Sequence, residues 1–237
     1  EKGTYYTPLH LVNLVMDEVY PWEGEYKDIS FFDPSCGSGI FLVEAYRRLV
    51  CRWMSQNAVQ AITCDRLNLL LKNSIFGVDI QPSGIEIRKL RFFLSLIVDE
   101  DGEPEPLPNL EFKFVCANTL LPSPFNIKKN TQTTIFDNTD NINSIYEKIK
   151  FLKERYFYSS SKYKEGIKKE YKNIQKELFD EFVALGGGNL VLVDYNPFDP
   201  LSVAQFYDSE FMFNIKDGFD IVIGNPPYIQ MQKDGGK

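Results

Sequence analysis

Four short apolar runs, each broken by a polar or glycine-rich turn, constrain this chain more than any other feature. They are residues 29–32 before DPSCGSG, SIFGVDI at 74–80, EFKFVC at 111–116 before Ala117 and Asn118, and FDIVI at 219–223 before GNPPY. After DPSCGSG, Phe41, Leu42, Ala45 and Leu49 return at helical spacing, and IEIRKLRFFLSLIV after Pro82 reads as another helix. Short strands alternating with helices predict βαβ units and an open, doubly wound, mainly parallel α/β sheet. All four turns then lie past the C-terminal ends of their strands, the edge where such sheets bind ligands.

Outside the strands, residues 4–20 read as an approach and a helix, with Thr7 as N-cap and Pro8 at the first helical position. Leu11, Leu14, Val15 and Val19 share one face of that helix. The long segment 121–210 contains two further amphipathic patterns. One is Ile145, Ile149, Leu152 and Tyr156; the other is Ile167, Tyr171, Ile174 and Leu178. They predict a helical hairpin joined near residues 159–166. Three stretches follow: residues 1–120 with the first three strand runs, a mostly helical insertion at 121–210, and the last strand run with its turn at 211–237.

Charge and cysteine usage exclude several classes. The formal net charge is −7 over 237 residues, which argues against gripping nucleic acid by bulk charge. The balance is uneven: residues 145–177 carry ten Lys/Arg and five Asp/Glu, so a basic hairpin sits in an otherwise acidic chain. The four cysteines form no CxxC pair and His10 is the only histidine, so no metal site is expected. Their spacing suggests no disulfide framework, which fits a reducing, cytoplasmic setting. No apolar run approaches the length of a membrane span, and no membrane partner is expected.

Three turns carry candidate chemistry. In DPSCGSG, Asp33 closes a strand, and Gly37 and Gly39 let the backbone turn tightly and approach a ligand. Asp79 closes the second strand, where a carboxylate accepts ribose hydroxyls; its distance from the first loop requires an extra helix within 51–72. In GNPPYI, two adjacent prolines stiffen the turn and leave carbonyls as acceptors. The Asn225 side-chain oxygen beside the Pro226 carbonyl, with Tyr228 as a flat face, suits a planar group bearing an amino nitrogen. Cys36 reads as a small lining residue, not a nucleophile.

DPSCGSG, the aspartate of GVDI and NPPY, in that order and preceded by YYTP, resemble the S-adenosylmethionine-dependent DNA adenine-N6 methyltransferases. The order is that of the γ class, and the helical insertion resembles that of type IIG restriction–modification enzymes. The resemblance implies a Rossmann-like methyltransferase sheet and S-adenosyl-L-methionine as cofactor. It places Thr7 at the methionine end of the cofactor and Asp33 near its amino group, with Ser35, Cys36, Gly37 and Gly39 lining the loop. It gives Asp79 the ribose and Ile80 the adenine ring. Asn118 stands where the family usually has an aspartate facing the adenine amino group. Asn225, Pro226, Pro227 and Tyr228 would form the catalytic turn, receiving a flipped-out adenine of double-stranded DNA. The family also has further strands after NPPY, a later aromatic motif and a target-recognition domain. The chain is therefore expected to be the N-terminal catalytic fragment of a larger enzyme that binds DNA through its full length. Protein-glutamine methyltransferases of release factors, RNA base N-methyltransferases and a non-catalytic cofactor- or DNA-binding module are the competing readings.

Overall fold

The structure, a computed structural model, describes residues 7–82, 84, 87, 89–92, 94, 108–123, 135–184 and 191–227. The elements run α1 (Leu9–Val19), β1 (Phe31–Asp33), α2 (Ile40–Gln56), α3 (Cys64–Ser74) and β2 (Ile75–Asp79). The described residues within 82–94 are helical and are called α4. Then come β3 (Phe114–Cys116), α5 (Ile135–Phe157), α6 (Ser161–Ala184), α7 (Val191–Asp194), α8 (Ser209–Phe213) and β4 (Ile221–Val222).

The four strands form one parallel sheet in the order β3-β2-β1-β4. The chain winds from β1 out to β3 and returns to the opposite side of β1 for β4. The reversal places a topological switch between the C-terminal ends of β1 and β4. At the other end, Asp220 latches β4 to β1: its carboxylate accepts both Ser30 N–H and Ser30 Oγ–H, each at 2.7 Å. Those bonds hold the Asp220 carboxyl below the usual carboxylate range.

Strand alternation divides the core into two layers. Phe31, Ile75, Phe114 and Cys116 face one side, where they pack with Val12 and Met16 of α1 and with buried residues of α2 and α3. Phe32, Phe76, Val78 and Val115 face the other, packing with Ile145, Ile149, Leu152 and Tyr156 of α5 and Ile167, Tyr171 and Leu178 of α6. The helical hairpin forms as predicted, with its turn at residues 158–160, and its apolar faces share one core with the sheet. The extra helix between the first loop and Asp79 is α3, which runs directly into β2.

Two expectations need correction. Pro8, not Thr7, is the N-cap of α1, and no side chain caps that helix. The buried face of α1 is carried by Val12 and Met16, whereas Leu11, Leu14, Val15 and Val19 are exposed. The heptad-like spacing of those four leucines and valines is real, but two other apolar residues on the same helix face α2. Beyond β3, Ala204 extends the sheet: Ala204 N–H donates to Cys116 O (2.8 Å) and Asn118 N–H to Ala204 O (3.1 Å). Among the described residues no helix is long and apolar enough to cross a membrane.

Candidate active site

The DPSCGSG loop leaves β1 at the switch point. Asp33 is only 2 % exposed, and its Oδ1 accepts Ser35 N–H at 3.0 Å, closing a tight turn. Cys36 points inward: both its N–H and its thiol donate to Val78 O at 2.9 Å. That arrangement pins the loop to β2. It also explains Gly77, where a Cβ would lie 2.7 Å from Cys36 Sγ and 2.8 Å from a Leu42 methyl. Gly37 and Gly39 both take positive φ, 48° and 78°, and Gly39 starts α2.

Asp79 braces the same loop from the neighbouring strand. Its Oδ2 accepts Gly37 N–H at 2.6 Å and its Oδ1 accepts Gln81 N–H at 2.8 Å. Ile80, beside it, presents a half-exposed apolar side chain at the sheet edge. Asn118 sits past β3 with its Oδ1 accepting Leu120 N–H at 3.1 Å, so the oxygen read as a base acceptor already closes a turn. Thr119 ties that turn to the first loop, its Oγ1 donating to Pro34 O at 3.3 Å.

After β4 the chain enters Gly224, Asn225, Pro226 and Pro227; Tyr228 lies outside the described residues. Gly224 backs directly onto Asp33: a Cβ there would fall 2.3 Å from Asp33 Oδ1. Asn225 Nδ2 donates to Thr7 Oγ1 at 3.1 Å, joining the two ends of the sequence. The structure therefore brings Thr7, Asp33 and Asn225 to the β1–β4 switch, with Asp79 and Ile80 one strand over and Asn118 a further strand out. Gly77, Thr119 and Gly224 are residues that sequence reasoning passed over. Only the last had a local signal, standing next to the NPPY run.

A glycine loop beside a strand-end carboxylate at a switch point is the kind of site that fits a nucleoside cofactor. One polar atom in the loop awaits a partner: Ser35 Oγ is buried and makes no hydrogen bond among the described residues. An orphaned hydroxyl in a glycine loop is the kind of group that a bound ligand satisfies.

Comparison with known proteins gives this site its family. The sequence model described as Eco57I restriction-modification methylase matches residues 73–237, more than half of the chain. The chain belongs to that family. A second model, the DNA-methyltransferase domain of MmeI, matches residues 19–100 and so covers the first loop and Asp79. Among curated proteins, the chain is 31 % identical over 122 residues to a Methanocaldococcus jannaschii protein whose name reads "Putative type II restriction enzyme and methyltransferase". It is 27 % identical over 129 residues to the MjaIX methylase subunit of a type I restriction enzyme from the same organism. It is 36 % identical over 70 residues to the adenine-specific methyltransferase PglX of Streptomyces coelicolor. These matches cover 47 %, 52 % and 30 % of the chain. It spans only 10 %, 19 % and 6 % of those relatives' own lengths.

Proposed function

We propose that this methylase transfers a methyl group from S-adenosyl-L-methionine to the exocyclic N6 of a flipped-out adenine in double-stranded DNA, as part of a larger modification or restriction–modification enzyme. The observation that carries the reading is the meeting of the cofactor loop and the NPPY turn at one switch point, where Gly224 seats against Asp33. Adenine is favoured over other targets by the acceptor pair at that turn and by the name of the PglX relative.

On this reading, residues 1–120 and 211–237 act as one catalytic unit, with 121–210 covering one face of its sheet. Thr7 and Asp33 hold the methionine end of the cofactor, with Ser35, Cys36, Gly37 and Gly39 lining it. Asp79 takes the ribose, Ile80 packs on the adenine ring, and Asn118 stands at its amino group. The cofactor supplies an electrophilic methyl on a sulfonium sulfur. The N6 lone pair of adenine is delocalised into the ring, so N6 is a weak nucleophile. Asn225 Oδ1 and the Pro226 carbonyl accept its two hydrogens and favour a tetrahedral nitrogen, which is stabilisation by preorganised dipoles. Pro226 and Pro227 keep those acceptors from relaxing. Tyr228 stacks on the base after it leaves the duplex, since N6 cannot be reached inside one.

The test is methyl transfer by the full-length protein with duplex DNA, RNA and a release factor side by side, with the methylated product identified. N6-methyladenine in duplex DNA is expected; methyl on RNA, on a glutamine amide or on cytosine would overturn the reading. Asn225→Ala should lower kcat by about 100-fold or more while leaving cofactor affinity within a few-fold. Cofactor binding by the full-length protein without any transfer would instead support a non-catalytic module.

A further inference from the structure

We infer that Thr7 is a positioning residue that sets which end of the Asn225 amide faces the substrate. The inference rests on the reading that Asn225 Oδ1 accepts from an amino group. An amide has two unlike ends, an accepting oxygen and a donating NH2, and only the oxygen end can serve that role. If the amide turned over, its NH2 would meet the substrate's own N–H groups and the acceptor would be lost.

The contact lies between two points held by separate parts of the fold. On one side, Thr7 precedes Pro8, whose backbone is fixed at φ −60° and ψ 141°, and a residue before proline is confined to extended geometry. Helix α1 follows at once and is anchored through Val12 and Met16, both fully buried against α2. On the other side, Gly224 is seated on the buried Asp33, and Pro226 and Pro227 stiffen the chain beyond Asn225. Nδ2 reaches Thr7 Oγ1 at 3.1 Å across 218 residues of sequence, leaving Oδ1 as the end turned from Thr7.

A hydroxyl can donate as well as accept, so alone it would tolerate either end of the amide. The proposed place of Thr7 at the methionine end of the cofactor breaks that symmetry. A carboxylate there can only accept, so it would take the hydroxyl proton and leave a lone pair for Nδ2. Thr7 thereby links occupancy of the cofactor site to alignment of the catalytic amide.

The test uses the full-length protein and three variants. Thr7→Val keeps the shape and removes the hydroxyl, Thr7→Ser keeps the hydroxyl, and Asn225→Ala marks loss of the amide. At saturating cofactor, kcat of Thr7→Val should fall at least about tenfold, since small misplacements of a catalytic group cost up to about 100-fold. Thr7→Ser should stay within about threefold of wild type. The second readout needs no turnover. In protein labelled with 15N-asparagine, the Nδ2 signal that disappears in Asn225→Ala should shift in Thr7→Val and return in Thr7→Ser. The proposal is overturned if Thr7→Val raises only the KM for cofactor and leaves kcat intact, because Thr7 would then be a cofactor contact alone. It is equally overturned if Thr7→Ser is as impaired as Thr7→Val, or if the Nδ2 signal ignores both. If the wild-type protein makes no N6-methyladenine while the Nδ2 signal still responds to Thr7, the function falls and the contact stands.

Discussion

At the scale of single residues, the site depends on side chains that are not there. Gly224 brings the NPPY turn onto Asp33, and Gly77 lets Cys36 and Leu42 settle on β2. Gly224→Ala would drive a methyl group into the Asp33 carboxylate, which is buried and holds Ser35 N–H. Overpacking of this kind costs about 1–3 kcal/mol. Denaturant titration should show that loss, and calorimetry should show cofactor affinity reduced at least about tenfold, because the displaced carboxylate belongs to the loop. Asp79→Ala removes the acceptor for two backbone N–H groups, of Gly37 and Gln81. Its expected signature is weakened cofactor binding with kcat largely recovered at saturating cofactor, the opposite of Asn225→Ala. The sequence showed the residue types and their order. It could not show that Thr7 meets Asn225, because that contact depends on how distant segments are brought together.

Among the elements, the strands were legible and the helix faces less so. A short apolar run ending in a turn has few alternatives: β2, β3 and β4 fall within the predicted runs, and β1 runs one residue past its own, to Asp33. For α5 and α6 the period is long and clean, and the predicted faces are the buried ones. For α1 two apolar stripes compete, and only packing against α2 decides that Val12 and Met16 win. Nor did periodicity reveal that the second core layer encloses two lysines. Lys113 donates to Lys72 O near the end of α3, and Lys153 to Phe211 O within α8. Burial pushes both amines down to about 7, with Lys72 and Lys153 adding repulsion at Lys113, and Asp208 partly offsetting the effect at Lys153. Their unfolded values are near 10.5, so between pH 7 and 10.5 the unfolded chain binds more protons than the folded one. Stability should therefore rise with pH above 7, by up to about 1 kcal/mol per pH unit for each lysine. Urea titrations at pH 7, 8 and 9 check this. The rise should flatten in the Lys113→Met, Lys153→Met double variant, and a wild-type stability that falls over this range would contradict the account.

At the scale of the whole molecule, the question is what the basic hairpin does. Its net positive charge within an acidic chain invites a role in holding DNA phosphates. The packing argues otherwise. Asn109, which precedes β3, donates its N–H to Phe157 O at 2.9 Å and its Nδ2 to Ser159 O at 2.9 Å. Tyr158 lies with its ring 5.3 Å from Lys72 Nζ, just ahead of β2. The turn of the hairpin is thus tied to the N-terminal edge of the sheet, whereas Asp33, Asp79 and Asn225 lie at the C-terminal edge. Several of its charges are also used within the fold: Lys153 is buried, Lys148 pairs with Glu177, Arg155 with Glu170 and Lys168 with Glu165. A DNA duplex presenting its base to Asn225 would approach from the other end of the molecule. Each phosphate contact contributes about 0.9 to the slope of log affinity against log salt. Reversing Lys168, Lys169 and Lys172 to glutamate in the full-length protein should then leave DNA affinity within about threefold and the slope changed by less than about one unit. A slope lower by two or more would place the hairpin on the phosphates and move the DNA path to the face of the sheet that the hairpin covers.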